Sequence, residues 1–149
     1  MTRYLLRHGK AGHRESWDGD DDRDRPLTKT GRRQAKATAD RLAGAGVTSL
    51  WSSPYVRCVQ TLEPLAEKLD LPINEDDRLA EGAPYERTLE LLEEAGKGAV
   101  HCTHGDVLTA VVDALIRRGS VLTTPPDWRK GSLWLLDGDK VTVEPPPEV

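Results

Sequence analysis

Three short strings of residues in this chain have the composition of a phosphate-binding site. They are Arg7-His8-Gly9, Ser53-Pro54-Tyr55-Val56-Arg57 and His104-Gly105-Asp106, and each follows a short apolar run that predicts a buried strand. Parallel α/β sheets bind their ligands beyond the carboxyl ends of such strands. Two arginines and two histidines are therefore predicted to converge on one anion.

The arginines suit phosphoryl transfer. Catalysis of that reaction consists largely of positioning the group and surrounding its charged oxygens with fixed donors. A planar guanidinium can bind two of those oxygens at once. Arg7 ends the first predicted strand, and Arg57 lies in the first turn of the helix after the second, where the helix dipole adds to its field. Gly105 allows backbone amides to approach the anion, because it has no side chain.

His8 is the predicted nucleophile. A neutral imidazole can attack phosphorus and become a phosphohistidine, which divides hydrolysis into two easier steps. We expect Arg7 and Arg57 to lower the pKa of His8 and keep it unprotonated near neutral pH. The second ring nitrogen must hold the proton, and a backbone carbonyl is its expected acceptor. His104 is predicted to contact the phosphoryl oxygens, most effectively when charged.

The elements that must position these residues follow a βαβ pattern. Apolar runs alternate with helix-period segments, which predicts an α/β fold whose mostly parallel sheet is covered on both faces. The second helix is predicted to start at Ser53-Pro54, with a bend or break at Pro64. The predicted strands cover 2–6, 48–51 and 99–103, the other helices 29–45 (capped by Thr28), 86–95 and 106–118, and a terminal hairpin 132–136 and 141–143.

Length and composition limit the class of protein. A chain of 149 residues is sized for one domain, predicted to cover 1–149. The net charge of −4 argues against a general nucleic-acid binder. The absence of a signal-peptide core or an apolar membrane-spanning run predicts a cytoplasmic protein without a membrane partner. Cys58 and Cys102 are expected to be reduced, buried thiols.

His101-Cys102-Thr103-His104 could alternatively form a metal site, with Cys58 as a further ligand. Residues on a strand alternate faces, so His101 and His104 would point to opposite sides. We therefore predict no metal and no other cofactor, and expect His101 to be a hydrogen-bonded histidine inside the sheet. Residues 10–26 are predicted to form a solvated loop over the site, with the acidic run 20–22 as a solvated face or as a screen against small anions.

These motifs resemble the histidine phosphatase superfamily, which includes the phosphoglycerate mutases. The likeness rests on Arg7-His8-Gly9, on residues 53–61, on Thr103-His104-Gly105 and on the helix opening around Leu27-Thr28. It implies a phosphoglycerate mutase-like, three-layer α/β/α sandwich. The small size resembles the SixA-type branch, which implies removal of phosphate from phosphohistidine on signalling proteins. Residues 56–66 and 129–132 are also similar to the phosphatase domain attached to some MutT-type nudix proteins.

Two departures from the superfamily pattern bear on activity. Lys10-Ala11-Gly12 stands where the mutases have serine and asparagine contacts to phosphate, which argues against mutase activity. Glu81 stands where larger members have a carboxylate general acid, and it is equally consistent with a solvated loop residue. A phosphohistidine substrate would not require this acid, because its leaving group is a near-neutral imidazole.

The combined prediction is a metal-independent phosphatase in which His8 is the nucleophile, Glu81 a candidate acid, and Arg7, Arg57, His104 and Gly105 the phosphate-binding residues. Its substrate would be a phosphorylated protein of the phosphohistidine type. Two alternatives stay open: a phosphatase of small phosphate esters or nucleotides, and an inactive module that binds phosphate or phosphoprotein. The oligomeric state is also open.

Overall fold

A seven-stranded sheet forms the centre of the protein in the computed structural model, which describes residues 2–149. The strands are β1 Arg3–Arg7, β2 Ser49–Ser52, β3 Ile73–Glu75, β4 Ala99–Thr103, β5 Val121–Leu122, β6 Leu133–Asp137 and β7 Lys140–Glu144. Their order in the sheet is β3-β2-β4-β1-β6-β7-β5. β3, β2, β4 and β1 are parallel neighbours, and β6 pairs antiparallel with β1 and β7.

Helices cover both faces of this sheet, which confirms the predicted three-layer α/β/α architecture. Along β1 the side chains alternate between two cores: Tyr4 and Leu6 belong to one, and Leu5 belongs to the other. The first core includes Leu62, and the second includes Val111, so opposite helices close the two faces. The helices are α1 Lys29–Leu42, α2 Val56–Leu69, α3 Tyr85–Ala95 and α4 Gly105–Arg117.

The register of the central strands brings three strand ends to one edge. Arg7 at the end of β1 lies opposite Thr103 at the end of β4, and Ser52 at the end of β2 lies opposite Cys102. The residues that follow β1, β2 and β4 therefore emerge side by side. Within residues 2–149 no helix has the length and apolar character needed to cross a membrane.

Two predictions about α2 are wrong. The helix begins at Val56, not at Ser53-Pro54, because the Ser53 hydroxyl accepts from the Tyr55 amide at 3.2 Å and bonds the His104 ring at 2.8 Å. Nor does Pro64 break α2, which runs without interruption to Leu69, and a bend at this proline stays a prediction. Leu62 and Leu65 on either side of that proline are fully buried, and their packing outweighs the missing backbone hydrogen bond.

Three other elements differ from the prediction in extent. α1 ends at Leu42, followed by a turn in which Gly46 adopts a φ of 75°, so the predicted last three residues are not helical. β3 and β5 were not predicted, since runs of three and two partly exposed residues have no recognisable periodicity. The hairpin of β6 and β7 and the Thr28 cap of α1, whose hydroxyl accepts from Gly31 N, are confirmed.

Candidate active site

The residues predicted for the site line one open pocket at the edge where β1, β2 and β4 end. Its volume is about 820 Å³. Arg7 and His8 reach it from β1, Arg57 from the first turn of α2, and His104 from the start of α4. Gly105, Glu81 and residues of the 10–26 loop complete the lining. The structure thus brings together every residue that the sequence nominated.

His8 is buried at the floor of the pocket, 4% exposed, and its ring has a defined hydrogen bond. Nδ1 lies 2.8 Å from the Gly9 carbonyl oxygen, so the proton resides on Nδ1 and Nε2 keeps its lone pair. The backbone is equally fixed, since His8 N donates to Thr103 O at 3.1 Å and Gly9 N donates to Thr61 Oγ1 at 3.0 Å. The imidazole is thereby presented in one tautomer and one place.

The environment of His8 keeps the ring neutral. Burial is the largest cause of a pKa well below the usual histidine value. The hydrogen bond to Gly9 acts in the opposite direction and raises the pKa. Repulsion by His104, Arg57 and Arg7 adds to the lowering. The predicted direction is confirmed, although desolvation contributes more than the two guanidinium groups on which the prediction rested.

Arg7 lies across the start of α4. Its Nη1 donates to the Trp128 carbonyl, which fixes the guanidinium against the loop that precedes β6. A Cβ atom added to Gly105 would stand 2.8 Å from the Arg7 Cζ, so any larger residue would displace this side chain. Burial lowers the pKa of Arg7, and the nearby Asp106 carboxylate partly offsets that effect. Gly105 thus admits the neighbouring arginine, and the approach of backbone amides to an anion stays a prediction.

Arg57 is 2% exposed and is held by two acidic residues. Its Nη1 donates to the Asp22 carbonyl at 2.9 Å, and its Nη2 lies 3.1 Å from both Asp22 Oδ2 and Glu81 Oε2. The guanidinium also stacks over Tyr55, with 4.9 Å from Cζ to the ring centroid. These contacts fix the plane of the guanidinium before any ligand arrives.

Asp22 is a functional candidate that the sequence analysis missed. The prediction of a solvated face for residues 20–22 is wrong at this position, because Asp22 Oδ1 accepts from Arg25 Nε at 2.8 Å and Oδ2 from Arg57. Burial tends to raise the pKa of Asp22, but the Arg25 hydrogen bond and the charges of Arg57, Arg25 and Arg14 lower it overall. The alternation of acidic and basic residues in 22–25 was the available signal.

Glu81 lies in the pocket as a hydrogen-bond acceptor. Its Oε1 accepts from Arg14 Nη2 at 2.7 Å and its Oε2 from Arg57 Nη2 at 3.1 Å. Both carboxylate oxygens are therefore engaged by guanidinium donors, while the side chain is 32% exposed in a turn, and its role as an acid stays a prediction.

His104 caps α4 with its ring facing His8. The two ring centroids are 5.4 Å apart in an edge arrangement, and Tyr55 packs on the other side at 4.6 Å. His104 Nε2 lies 2.8 Å from Ser53 Oγ and 3.6 Å from the Cys58 sulfur. Ser53 is thus a positioning partner of this histidine instead of a helix cap.

The metal alternative finds no cluster to support it. In the described part of the chain no group of three or more His, Cys, Asp or Glu side chains is placed to hold a metal ion. His101 is fully buried and its Nδ1 bonds the Tyr4 carbonyl at 3.0 Å, which confirms the predicted hydrogen-bonded histidine inside the sheet. Cys58 and Cys102 are both free and buried, as expected.

Comparison with known proteins identifies the class. Residues 3–86 match the histidine phosphatase superfamily (branch 1), and the chain belongs to that superfamily. It is 38% identical to the 8-oxo-(d)GTP phosphatase of Mycolicibacterium smegmatis over 160 aligned positions, which cover 99% of this chain and 49% of that protein. The chain spans between about a third and a half of the curated relatives that it matches.

Solved structures share the fold. The protein histidine phosphatase SixA complexed with tungstate superposes with a TM-score of 0.72 at 22% identity, covering 97% of this chain and 94% of that one. A mycobacterial glucosyl-3-phosphoglycerate phosphatase complexed with VO3 superposes with a TM-score of 0.71 at 20% identity, covering 96% of each chain. One of these neighbours is named for a protein substrate and the other for a sugar ester. The shared fold is therefore compatible with more than one class of substrate.

Proposed function

We propose that the chain, as one domain, is a phosphatase that forms a covalent phosphohistidine on His8 and needs no metal or other cofactor. The observation that supports this most is the 2.8 Å contact between His8 Nδ1 and the Gly9 carbonyl oxygen. With the proton of Nδ1 donated to Gly9 O, Nε2 is the nitrogen able to attack phosphorus. Arg7 and Arg57 share the pocket with this nitrogen.

The proposed reaction has two steps. In the first, His8 Nε2 forms a bond to phosphorus, and the bond to the leaving group breaks with its electron pair. In the second, water attacks the phosphohistidine, inorganic phosphate departs, and Nε2 recovers its lone pair. Arg7, Arg57 and His104 would bind the phosphoryl oxygens in both steps, where charge develops.

The state of Glu81 bears on the substrate class. Both of its oxygens accept hydrogen bonds from Arg14 and Arg57, an arrangement that suits the positioning of these guanidinium groups better than the transfer of a proton to a departing alkoxide. A phosphohistidine needs none, because imidazole leaves as a near-neutral group. We therefore propose phosphohistidine on a protein as the preferred substrate class, and the open pocket would admit such a side chain.

Small phosphate esters or nucleotides are the second candidate class. The relative named 8-oxo-(d)GTP phosphatase matches nearly the whole length of this chain at 38% identity, which favours a nucleotide. In a nucleotide the leaving group is itself a phosphate, joined through an anhydride, and it departs without protonation. The arrangement of Glu81 is therefore compatible with this class. The choice between the classes is a matter of relative kcat/KM.

Hydrolysis in excess chelator tests the proposal. The purified chain should release phosphate from a phosphohistidine protein, and it should do so with higher kcat/KM than from nucleotides or sugar phosphates. His8→Ala should lose at least about a thousandfold in kcat, the scale of a lost nucleophile. His13→Ala is the matched control. His13 is an exposed histidine that lines the same pocket, and within residues 2–149 its ring makes no hydrogen bond or ion pair.

Three results would contradict parts of the proposal. Full turnover by His8→Ala excludes the phosphohistidine intermediate. A higher kcat/KM for nucleotides transfers the substrate assignment to the second class. Phosphate binding without turnover by the unaltered chain identifies an inactive binding module.

A further inference from the structure

Lys130 is a cation in the pocket wall without an acidic partner. Three other cations of the wall, Arg14, Arg25 and Arg57, form salt bridges with Asp22 or Glu81 at 2.7 to 3.5 Å. Lys130 lines the same pocket, yet across residues 2–149 its amine makes no salt bridge or hydrogen bond. The proposed mechanism gives it no task.

The backbone around Lys130 is tied to the proposed nucleophile. Gly131 N donates to the carbonyl oxygens of Arg7 at 3.2 Å and His8 at 3.0 Å, and Ser132 N donates to Arg129 O at 3.0 Å. Gly131 adopts a φ of 91°, which a side chain would disfavour. The turn therefore ties the backbone that follows Lys130 to the strand end that carries His8.

The surroundings of Lys130 disfavour its positive charge. Partial burial lowers the pKa of Lys130, and the positive charges of Arg7, Arg25, Arg57 and Lys10 lower it further. Unfavourable electrostatics of this kind are concentrated at binding and catalytic sites. An anion next to the amine would relieve both the desolvation and the repulsion.

The phosphoryl group in transfer does not account for this cation. The proposed function already assigns Arg7, Arg57 and His104, which line the same pocket, to the oxygens of that group. The pocket of about 820 Å³ is several times larger than a phosphoryl group, so it has room for more of the substrate. Lys130 belongs to the turn before β6 and Arg57 to α2, so the two cations reach the pocket from different elements.

We propose that Lys130 binds a second anionic group of the substrate, located next to the phosphoryl group that is transferred. This inference rests on the proposed function, because it assumes that a phosphoryl group occupies the position between Arg7 and Arg57. The ligand chemistry is a pair of neighbouring anions. A diphosphate supplies such a pair, and so does a phosphohistidine beside an acidic residue.

Binding of two phosphonates that resist hydrolysis tests the inference. Methylphosphonate offers one anionic group and methylenediphosphonate offers two. Titration calorimetry should show that Lys130→Gln weakens methylenediphosphonate by about tenfold, the equivalent of ~1.4 kcal/mol, and methylphosphonate by less than about twofold. Lys130→Arg should retain most of the affinity. Lys10→Gln is the matched control, since it removes a nearby exposed charge outside the pocket lining.

The outcomes separate this inference from the proposed function. Equal losses for both phosphonates, or none, would refute a second-anion site while leaving the His8 chemistry intact. If the unaltered chain binds neither phosphonate, the proposed function itself fails. Measured kcat/KM values for a phenyl diphosphate and for phosphohistidine peptides with and without a neighbouring aspartate then show which source of the second anion is used.

Discussion

Acid should destabilise this protein through a histidine at the centre of its sheet. His101 lies in β4, fully buried, and burial lowers its pKa to about 4, whereas an unfolded histidine titrates near 6.5. Below pH 6.5 the unfolded chain gains a proton that the folded chain does not accept. Stability from this residue is therefore complete above pH 6.5 and declines as the pH falls towards 4.

The magnitude follows from the two pKa values. Each pH unit between them corresponds to about 1.4 kcal/mol, so His101 should remove up to about 3 kcal/mol from the free energy of unfolding by pH 4. His8 acts in the same direction, because its pKa is also lowered by burial. The loss is large beside the 5–15 kcal/mol that domains typically have, roughly speaking.

Urea unfolding followed by tryptophan fluorescence from pH 7 to pH 4.5 measures this effect. His101→Gln retains an amide donor for the Tyr4 carbonyl but cannot titrate. Its stability should fall less steeply with decreasing pH, by up to about 1.4 kcal/mol per pH unit relative to the parent. His13→Gln, at an exposed position, should keep the parental slope.

An unchanged slope in His101→Gln would refute the argument. So would an NMR titration of the parent in which the His101 ring protonates near pH 6.5. The titration needs no variant, and it therefore decides the matter even if His101→Gln folds poorly.

Three further predictions concern the site. Because burial lowers the pKa of His8, kcat/KM should stay level as the pH falls through 6.5, and an acid limb centred at 6.5 would contradict a neutral nucleophile. Glu81→Gln should reduce hydrolysis of good and poor leaving groups by a similar factor of less than about ten, whereas a selective loss of about a hundredfold or more for alkyl phosphates would identify a general acid. Asp22→Asn should lower the free energy of unfolding by about 2 kcal/mol in urea titrations, because it leaves the buried Arg57 with one fewer anionic partner, and equal stability would show that Glu81 suffices.

Burial has two distinct consequences for the pocket. It keeps His8 neutral, which suits a nucleophile, and it strengthens the contacts that fix Arg57 against Asp22 and Glu81. A guanidinium that is already oriented loses little freedom when an anion binds. The acidic residues are therefore compatible with the proposed phosphate pocket, because they hold the arginine that would bind the ligand.

The sequence by itself determined the frame of the site. Buried parallel strands alternate with amphipathic helices, and the ends of such strands meet at one edge whatever the loops do. Arg7 ends a strand, His8 and His104 follow strands directly, and Arg57 lies in the first turn of a helix, so their convergence depended on topology alone. The periodicity of the apolar residues was therefore sufficient to predict that these four side chains meet.

Only the tertiary structure decided which loop residues line the pocket and which of their charges are paired. Asp22 meets Arg57 across 35 positions of sequence, and the turn of Lys130 meets His8 across more than 120. Such contacts form through irregular loops, whose conformations depend on packing against the finished sheet and have no repeating pattern in the chain. The apolar periodicity of the sequence thus specifies where the strands end, and long-range contacts between loops specify which charges are paired and which are left for a ligand.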